Sequence, residues 1–300
     1  RPKWSRMKKP IRKTKPDIRF TAKSDSGLLD CVKSELTGFP SGKIKSFLKH
    51  RQISVDGVST TKFDYPVKKG QLISIRQAPV PESPGPAPDI MYEDDWLIAI
   101  NKPAGLLTVA TDREKEKTAY RMLKDGGREG HIFVVHRLDR DTSGVLLFAK
   151  SREIRDVLQS SWEDAVKREY LAICEGVFEQ KSGRCDTMLR ETSTHLVYSS
   201  PYGGKRAITN YEVIRDNGLY SLVRVWIETG RKNQIRVHLS ELGHPVVGDK
   251  KYGAKSNPLG RLGLHAGLLR IMHPVTNTPL ILEAKPGRKF KLPARANSQK

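Results

Sequence analysis

Within nine consecutive positions, His136-Arg137-Leu138-Asp139-Arg140-Asp141-Thr142-Ser143-Gly144, the chain offers carboxylates, guanidinium groups, an imidazole and hydroxyls. A carboxylate held beside guanidinium groups can attack an electrophilic carbon or take up a proton. A guanidinium can donate to phosphate or stack on a base. Asp, Ser, Thr and Gly are also ordinary turn residues, so composition alone fits a plain connection equally well. The runs on either side, Ile132–Val135 and Val145–Ala149, are short and rich in β-branched or aromatic residues. They read as buried strands. The polar segment is thus held between two core strands, where a rigid scaffold positions reactive groups.

The segment resembles the HRLDxxTSG signature of the RluA-type pseudouridine synthases at every fixed position. Further segments resemble the same family, in its order. Asn101-Lys102-Pro103-Ala104-Gly105 is like NKPxG and reads as a structural turn. Arg168-Glu169-Tyr170 follows the basic-x-Tyr pattern, and Gly204-Lys205-Arg206-Ala207-Ile208-Thr209 is like GKxAxT. Thr229 to His238 is like TGRxHQIRxH, with Asn233 where the family has His, and Gly243 to Asp249 with Tyr252-Gly253 is like LGHPIxGDxxYG. Leu264-His265-Ala266 and His273-Pro274 complete the series.

The resemblance implies an RNA pseudouridine synthase. It implies that Asp139 is the catalytic carboxylate and that Arg236 pairs with it. Tyr170 would pack against the target uracil, Arg137 would enter the RNA in place of the flipped base, and Arg231 would support the site. Asp141 falls at a variable position and becomes a bystander.

Turning uridine into pseudouridine breaks the N-glycosidic bond, turns the base and rejoins it through carbon. No group is added and nothing is oxidised, so no cofactor or metal is expected. The carboxylate would act as nucleophile or as base, and in either role it must be ionised. Burial raises its pKa and a nearby guanidinium lowers it, which gives Arg236 a physical role beside Asp139. No phosphate-loop or HExxH motif occurs, and His238, His244, His265 and His273 lack metal-ligand spacing. They read as turn and packing positions.

The chain of 300 residues has a net charge of +21 and a mean hydropathy of -0.53. Such a charge points to a polyanionic partner, with RNA the first expectation and a membrane surface unsupported by any apolar face. No apolar run reaches the length of a bilayer span, and no signal-peptide core follows the basic start. Cys31, Cys174 and Cys185 are widely spaced, which suggests a reducing, cytoplasmic setting. A monomer is expected.

Five regions are expected. Residues 1–17 form a basic flexible arm. Residues 18–76 form a small α+β module whose apolar positions Leu28, Leu29, Val32 and Leu36, then Ile44, Phe47 and Leu48, mark two helices. The second helix carries Lys43, Lys45 and Lys49 on its other face, with Arg51 beyond, and Asp56-Gly57 signals a hairpin. This module resembles the alpha-L RNA-binding domain first described in a small-subunit ribosomal protein. Residues 77–89 hold five prolines and read as a semi-rigid linker. Residues 90–290 show many short strands and few helices, at Thr118–Leu123, Ser151–Val166 and Gln234–Leu242. That pattern fits an α+β catalytic domain on a mostly antiparallel mixed sheet. Residues 291–300 form a basic tail. Ribosomal RNA is the favoured substrate. The alternatives are a synthase acting on transfer RNA and a non-catalytic RNA-binding or ribosome-assembly protein.

Overall fold

The computed structural model describes residues 17–77, 88–111, 117–125 and 130–293. The expected basic arm, proline-rich linker and basic tail lie almost wholly outside the described residues. The chain forms two compact units, Arg1–Ser83 and Pro84–Lys300.

The first unit contains β1 (Ile18–Thr21), β2 (Ser26–Gly27), α1 (Leu28–Glu35), α2 (Ser41–Lys49), β3 (Ile53–Val55), β4 (Val58–Ser59), β5 (Pro66–Val67) and β6 (Leu72–Ile75). Its four-stranded sheet has the order β1-β6-β3-β4, and β2 pairs with β5. Leu28, Val32, Ile44, Phe47 and Leu48 bury one face of each helix against Ile53, Ile73 and Ile75. The helical spacing that turns these side chains inward leaves Lys43, Lys45, Lys49 and Arg51 exposed. At the β3–β4 turn both Asp56 and Gly57 have positive φ, as a two-residue hairpin requires.

The second unit contains β7 (Ile90–Glu93), β8 (Leu97–Lys102), α3 (Ala119–Asp125), β9 (Phe133–Val134), β10 (Ser143–Ala149), α4 (Arg152–Ser160), α5 (Trp162–Ala165) and β11 (Lys167–Glu175). It continues with β12 (Ser182–Glu191), β13 (Val197–Ser199), β14 (Lys205–Asp216), β15 (Tyr220–Ile227), α6 (Gln234–Glu241), β16 (Leu264–Met272) and β17 (Pro279–Glu283). These strands form one sheet of order β13-β12-β14-β15-β11-β16-β10-β8-β7, with β9 beside β10 and β17 beside β16. Its pairings are antiparallel except β10 with β16. The architecture is therefore α+β on a mostly antiparallel sheet, as the strand-rich pattern suggests.

All seven residues of β10 are buried. Val145, Leu147 and Ala149 enter one core with Leu158 and Val166, while Leu146 and Phe148 enter another with Leu123 and Leu138. The two-residue period of a strand explains this division, and cover on both faces explains the unbroken apolar run. The parallel contact with β16 pairs Ser143 with His265 and Gly144 with Ala266. Gly144 has φ +117°, and a Cβ there would lie 2.1 Å from the Ala266 carbonyl oxygen. Only glycine lets the two backbones approach this closely.

Two expected elements differ. The single helix expected over Ser151–Val166 divides at Ser161 into α4 and the one-turn α5. The division accompanies the stacking of Trp162 on the His136 ring, with centroids 4.7 Å apart. The run Ile132–Val135 supplies only the two-residue β9, because it meets only Phe148 and Ala149 at the far end of β10. Among the described residues no helix is long and apolar enough to cross a membrane.

Candidate active site

The loop between β9 and β10 carries the nine-residue segment, and its backbone is gripped from three sides. His136 Nε2 accepts the Leu147 N–H at 3.0 Å. Burial, helped by the Arg168 charge, pushes the His136 pKa down to about 3, so the ring stays neutral and keeps that acceptor. The Thr108 hydroxyl donates to the Leu138 carbonyl at 2.9 Å and accepts the Leu138 N–H at 3.2 Å. The Lys102 ammonium donates to the carbonyls of Pro103 (3.0 Å), Leu106 (2.7 Å) and Arg140 (3.0 Å). Burial pushes its pKa down to about 8, against the pull of Asp141 and Asp139. The Asn-Lys-Pro turn thus ties the end of β8 to the loop, in keeping with its structural reading.

This grip leads to an expected result. Thr108→Val keeps the shape of the side chain but leaves the buried N–H and C=O of Leu138 unpaired. Urea denaturation should show a loss of about 2 kcal/mol. Turnover on RNA should fall about tenfold as the neighbouring Asp139 loses its fixed position.

Arg137, Asp139, Tyr170, Arg231 and Arg236 come from four separate parts of the second unit. All five line a single cavity of about 580 Å3. Asp139 has 30% of its side chain exposed, yet protein surrounds the carboxyl closely enough that burial raises its pKa. Arg236, Lys102 and Arg137 pull the other way without reversing the shift. Burial pushes the Tyr170 hydroxyl up to about 12, so the phenol stays protonated beside the carboxylate. Arg137 is exposed. Arg231 turns its guanidinium to Glu163 at 2.8 and 3.3 Å and donates from Nε to the Arg206 carbonyl at 3.0 Å.

Arg236 does lie near Asp139, with Nη1 3.5 Å from Oδ2. Its closer partner is Asp249, reached from Nε at 2.6 Å and from Nη2 at 2.7 Å. Burial opposes the Arg236 charge, but these bonds and the nearby carboxylates hold its pKa above the ordinary arginine value. Asp141, by contrast, is exposed and lines a neighbouring concavity of about 490 Å3 with Lys250, Lys251 and Arg261, which meets the Asp139 cavity at Arg236.

The sequence marks Asp249 only as the acid of its Gly-Asp pair and gives it no role. It gives no sign of Trp162 or Glu163, whose contacts with His136 and Arg231 join residues far apart in the chain. Arg168 was read only as the basic member of its motif. It lines the cavity at 5% exposure, donates from Nη2 to the Glu228 carbonyl, and is the one described residue with a buried side-chain nitrogen, Nε, lacking a partner. The four histidines considered as ligands are held by the fold. Partners are Thr187 and Thr209 for His238, Glu175 for His244, Ser143 and Ala284 for His265, and Asp94 for His273. Among the described residues no three His, Cys, Asp or Glu side chains group as metal ligands.

A model of the RNA pseudouridylate synthase family matches residues 96–241. The tRNA pseudouridine synthase C of Haemophilus ducreyi is 38% identical over 220 residues, covering 65% of this chain and 90% of that protein. The chain belongs to the RluA-type family of RNA pseudouridine synthases. The ribosomal large subunit pseudouridine synthase D of Yersinia pestis is 31% identical to this synthase over 276 residues, covering 82% of this chain and 83% of that one. The solved structure of human RNA pseudouridylate synthase domain containing 4 superposes with a TM-score of 0.57 at 26% identity, covering 67% of this synthase and 90% of that chain. The family match runs from the start of β8 to the end of α6. It includes Asp139, Tyr170, Arg231 and Arg236 but stops before Asp249.

Proposed function

We propose that this synthase isomerises uridines in large-subunit ribosomal RNA, with Asp139 as its catalytic carboxylate. The observation that carries the reading is the placement of the Asp139 carboxylate, with Arg236 at 3.5 Å, in one cavity with Tyr170. The target uridine leaves its stack, at a cost of a few kcal/mol, and its base packs on the Tyr170 ring. Asp139 acts on the ribose as nucleophile or as base, the bond between N1 and C1′ breaks with its electron pair left on N1, C5 bonds to C1′, and the proton that C5 then loses is matched by one taken up at N1. The exposed Arg137 takes the place of the base in the RNA, because a guanidinium stacks on bases and donates to phosphate. Arg231 supports the cavity wall through Glu163. No step calls for a cofactor.

Support for ribosomal RNA comes from the first unit. The alignment with the large-subunit synthase is longer than the second unit alone and so reaches into the first. There Lys43, Lys45, Lys49 and Arg51 present a basic surface suited to docking on a folded RNA. Transfer RNA is the second reading, favoured by the substrate in the name of the Haemophilus ducreyi relative. Pseudouridine mapping in total RNA from cells with and without the protein separates the two. Loss of large-subunit sites supports the proposal, and loss of transfer-RNA sites alone overturns it.

A further inference from the structure

Arg236 serves two carboxylates unequally. Its two-pronged face is spent on Asp249, at 2.6 and 2.7 Å, and Nη1 donates to Asn233 Oδ1 at 2.9 Å. Only a longer contact of 3.5 Å, again from Nη1, reaches Asp139. The guanidinium carbon lies 4.9 Å from the centre of the Tyr252 ring, whose hydroxyl accepts from Asn233 Nδ2 at 3.0 Å. Asp249 itself is fixed. Its side chain is 1% exposed, and its carbonyl accepts the N–H groups of Tyr252 and Ala254. The preferred partner of the active-site arginine is therefore the deeply buried acid, not the one in the cavity.

We infer that Asp249 is a positioning residue that holds the fork of Arg236 away from Asp139, so that the cavity carboxylate is steadied but not neutralised. A guanidinium that forked onto Asp139 would occupy both carboxylate oxygens and stabilise the anion strongly. A carboxylate so stabilised is a weaker base and nucleophile. With Asp249 in place, Asp139 keeps oxygen lone pairs open to the cavity. The charged groups acting on Asp139 are then Arg236 from α6, Lys102 from the end of β8 and Arg137 from its own loop, with the Tyr170 phenol beside them. The inference rests on Asp139 being the catalytic carboxylate, but its central claim concerns the Asp139–Arg236 contact and can be read without RNA.

The experiment is a carboxyl-carbon NMR titration of the full-length protein, with the Asp139 signal assigned by its loss in D139N. In Asp249→Asn the fork is released and Asp139 should titrate roughly one pH unit lower. In R236Q, adding D249N should move the signal far less, because the effect travels through the arginine. A shift of equal size in both backgrounds would mean that Asp249 acts through space alone and would overturn the inference, as would no shift in either. Should D249N fail to fold, N233D replaces it. A carboxylate at Nη1 draws Arg236 further from Asp139, so the signal moves up, and that move must shrink when Arg236 is Gln. Tritium release from 5-labelled uridine RNA is then measured across pH. In D249N the acid limb should follow the NMR shift and kcat should fall more than KM rises. A wild-type protein that releases no tritium defeats the proposed function, while the titration still decides the role of Asp249.

Discussion

Asp139→Asn is expected to abolish isomerisation while leaving RNA binding intact and the fold slightly more stable. The amide cannot attack the sugar or accept its proton, and loss of a group in either role costs about a hundredfold to ten-thousandfold in rate. Burial holds the Asp139 pKa above its ordinary value despite three nearby cations. The sign of the stability effect follows. A carboxyl that binds its proton more tightly in the folded state makes the ionised form a net cost to folding at neutral pH. That cost disappears as the pH falls below the ordinary carboxylate range, where folded and unfolded chains are both protonated. The melting temperature of D139N should therefore exceed that of the wild type at neutral pH, and the gap should close in acid. Tritium release, RNA anisotropy and melting curves at several pH values check the three parts. Full activity in D139N would remove Asp139 from the chemistry.

Gly144→Ala is expected to be the most damaging single methyl group in the second unit. The added carbon meets the Ala266 carbonyl oxygen at 2.1 Å, and the atoms it strikes belong to the backbone of the neighbouring strand. Neither β10 nor β16 can retreat, because β10 is buried along its whole length between β8 and β16. The positive φ adds strain that alanine bears poorly. A loss on the order of 4 kcal/mol or more is expected, seen as a large drop in the urea midpoint or as insoluble protein. A variant that melts within a degree or two of wild type would show that the two strands can part without cost.

Local signals made much of this legible. The apolar period of Val145–Ala149 is that of a strand covered on both faces, and Asp56-Gly57 announces its turn. Ile44, Phe47 and Leu48 fall on one helical face, which predicts that Lys43, Lys45 and Lys49 face outward. The five cavity residues were legible through motif resemblance, and the strands then bring them together from distant positions. What could not be read are partners chosen by tertiary contact. Arg236 has two acids within reach, and only packing decides that Asp249 takes the fork. The break at Ser161 has no proline or glycine to announce it, and its partner, His136, lies in another element. Asn233 adopts φ +55° at the start of α6, a conformation asparagine tolerates better than most residues. Its presence where the family has His carries no such geometric message when read alone.

The grip of Thr108, Lys102 and His136 on the Asp139 loop has a consequence for how the cost of recognition is divided. A loop pinned at His136, Leu138 and Arg140 has already surrendered its conformational entropy during folding. It has little left to lose when RNA arrives. The ordering and unstacking at the moment of encounter then fall on the nucleic acid. On the proposed reading, a weakly stacked uridine is then expected to react in preference to a well-stacked one, because drawing it out costs less.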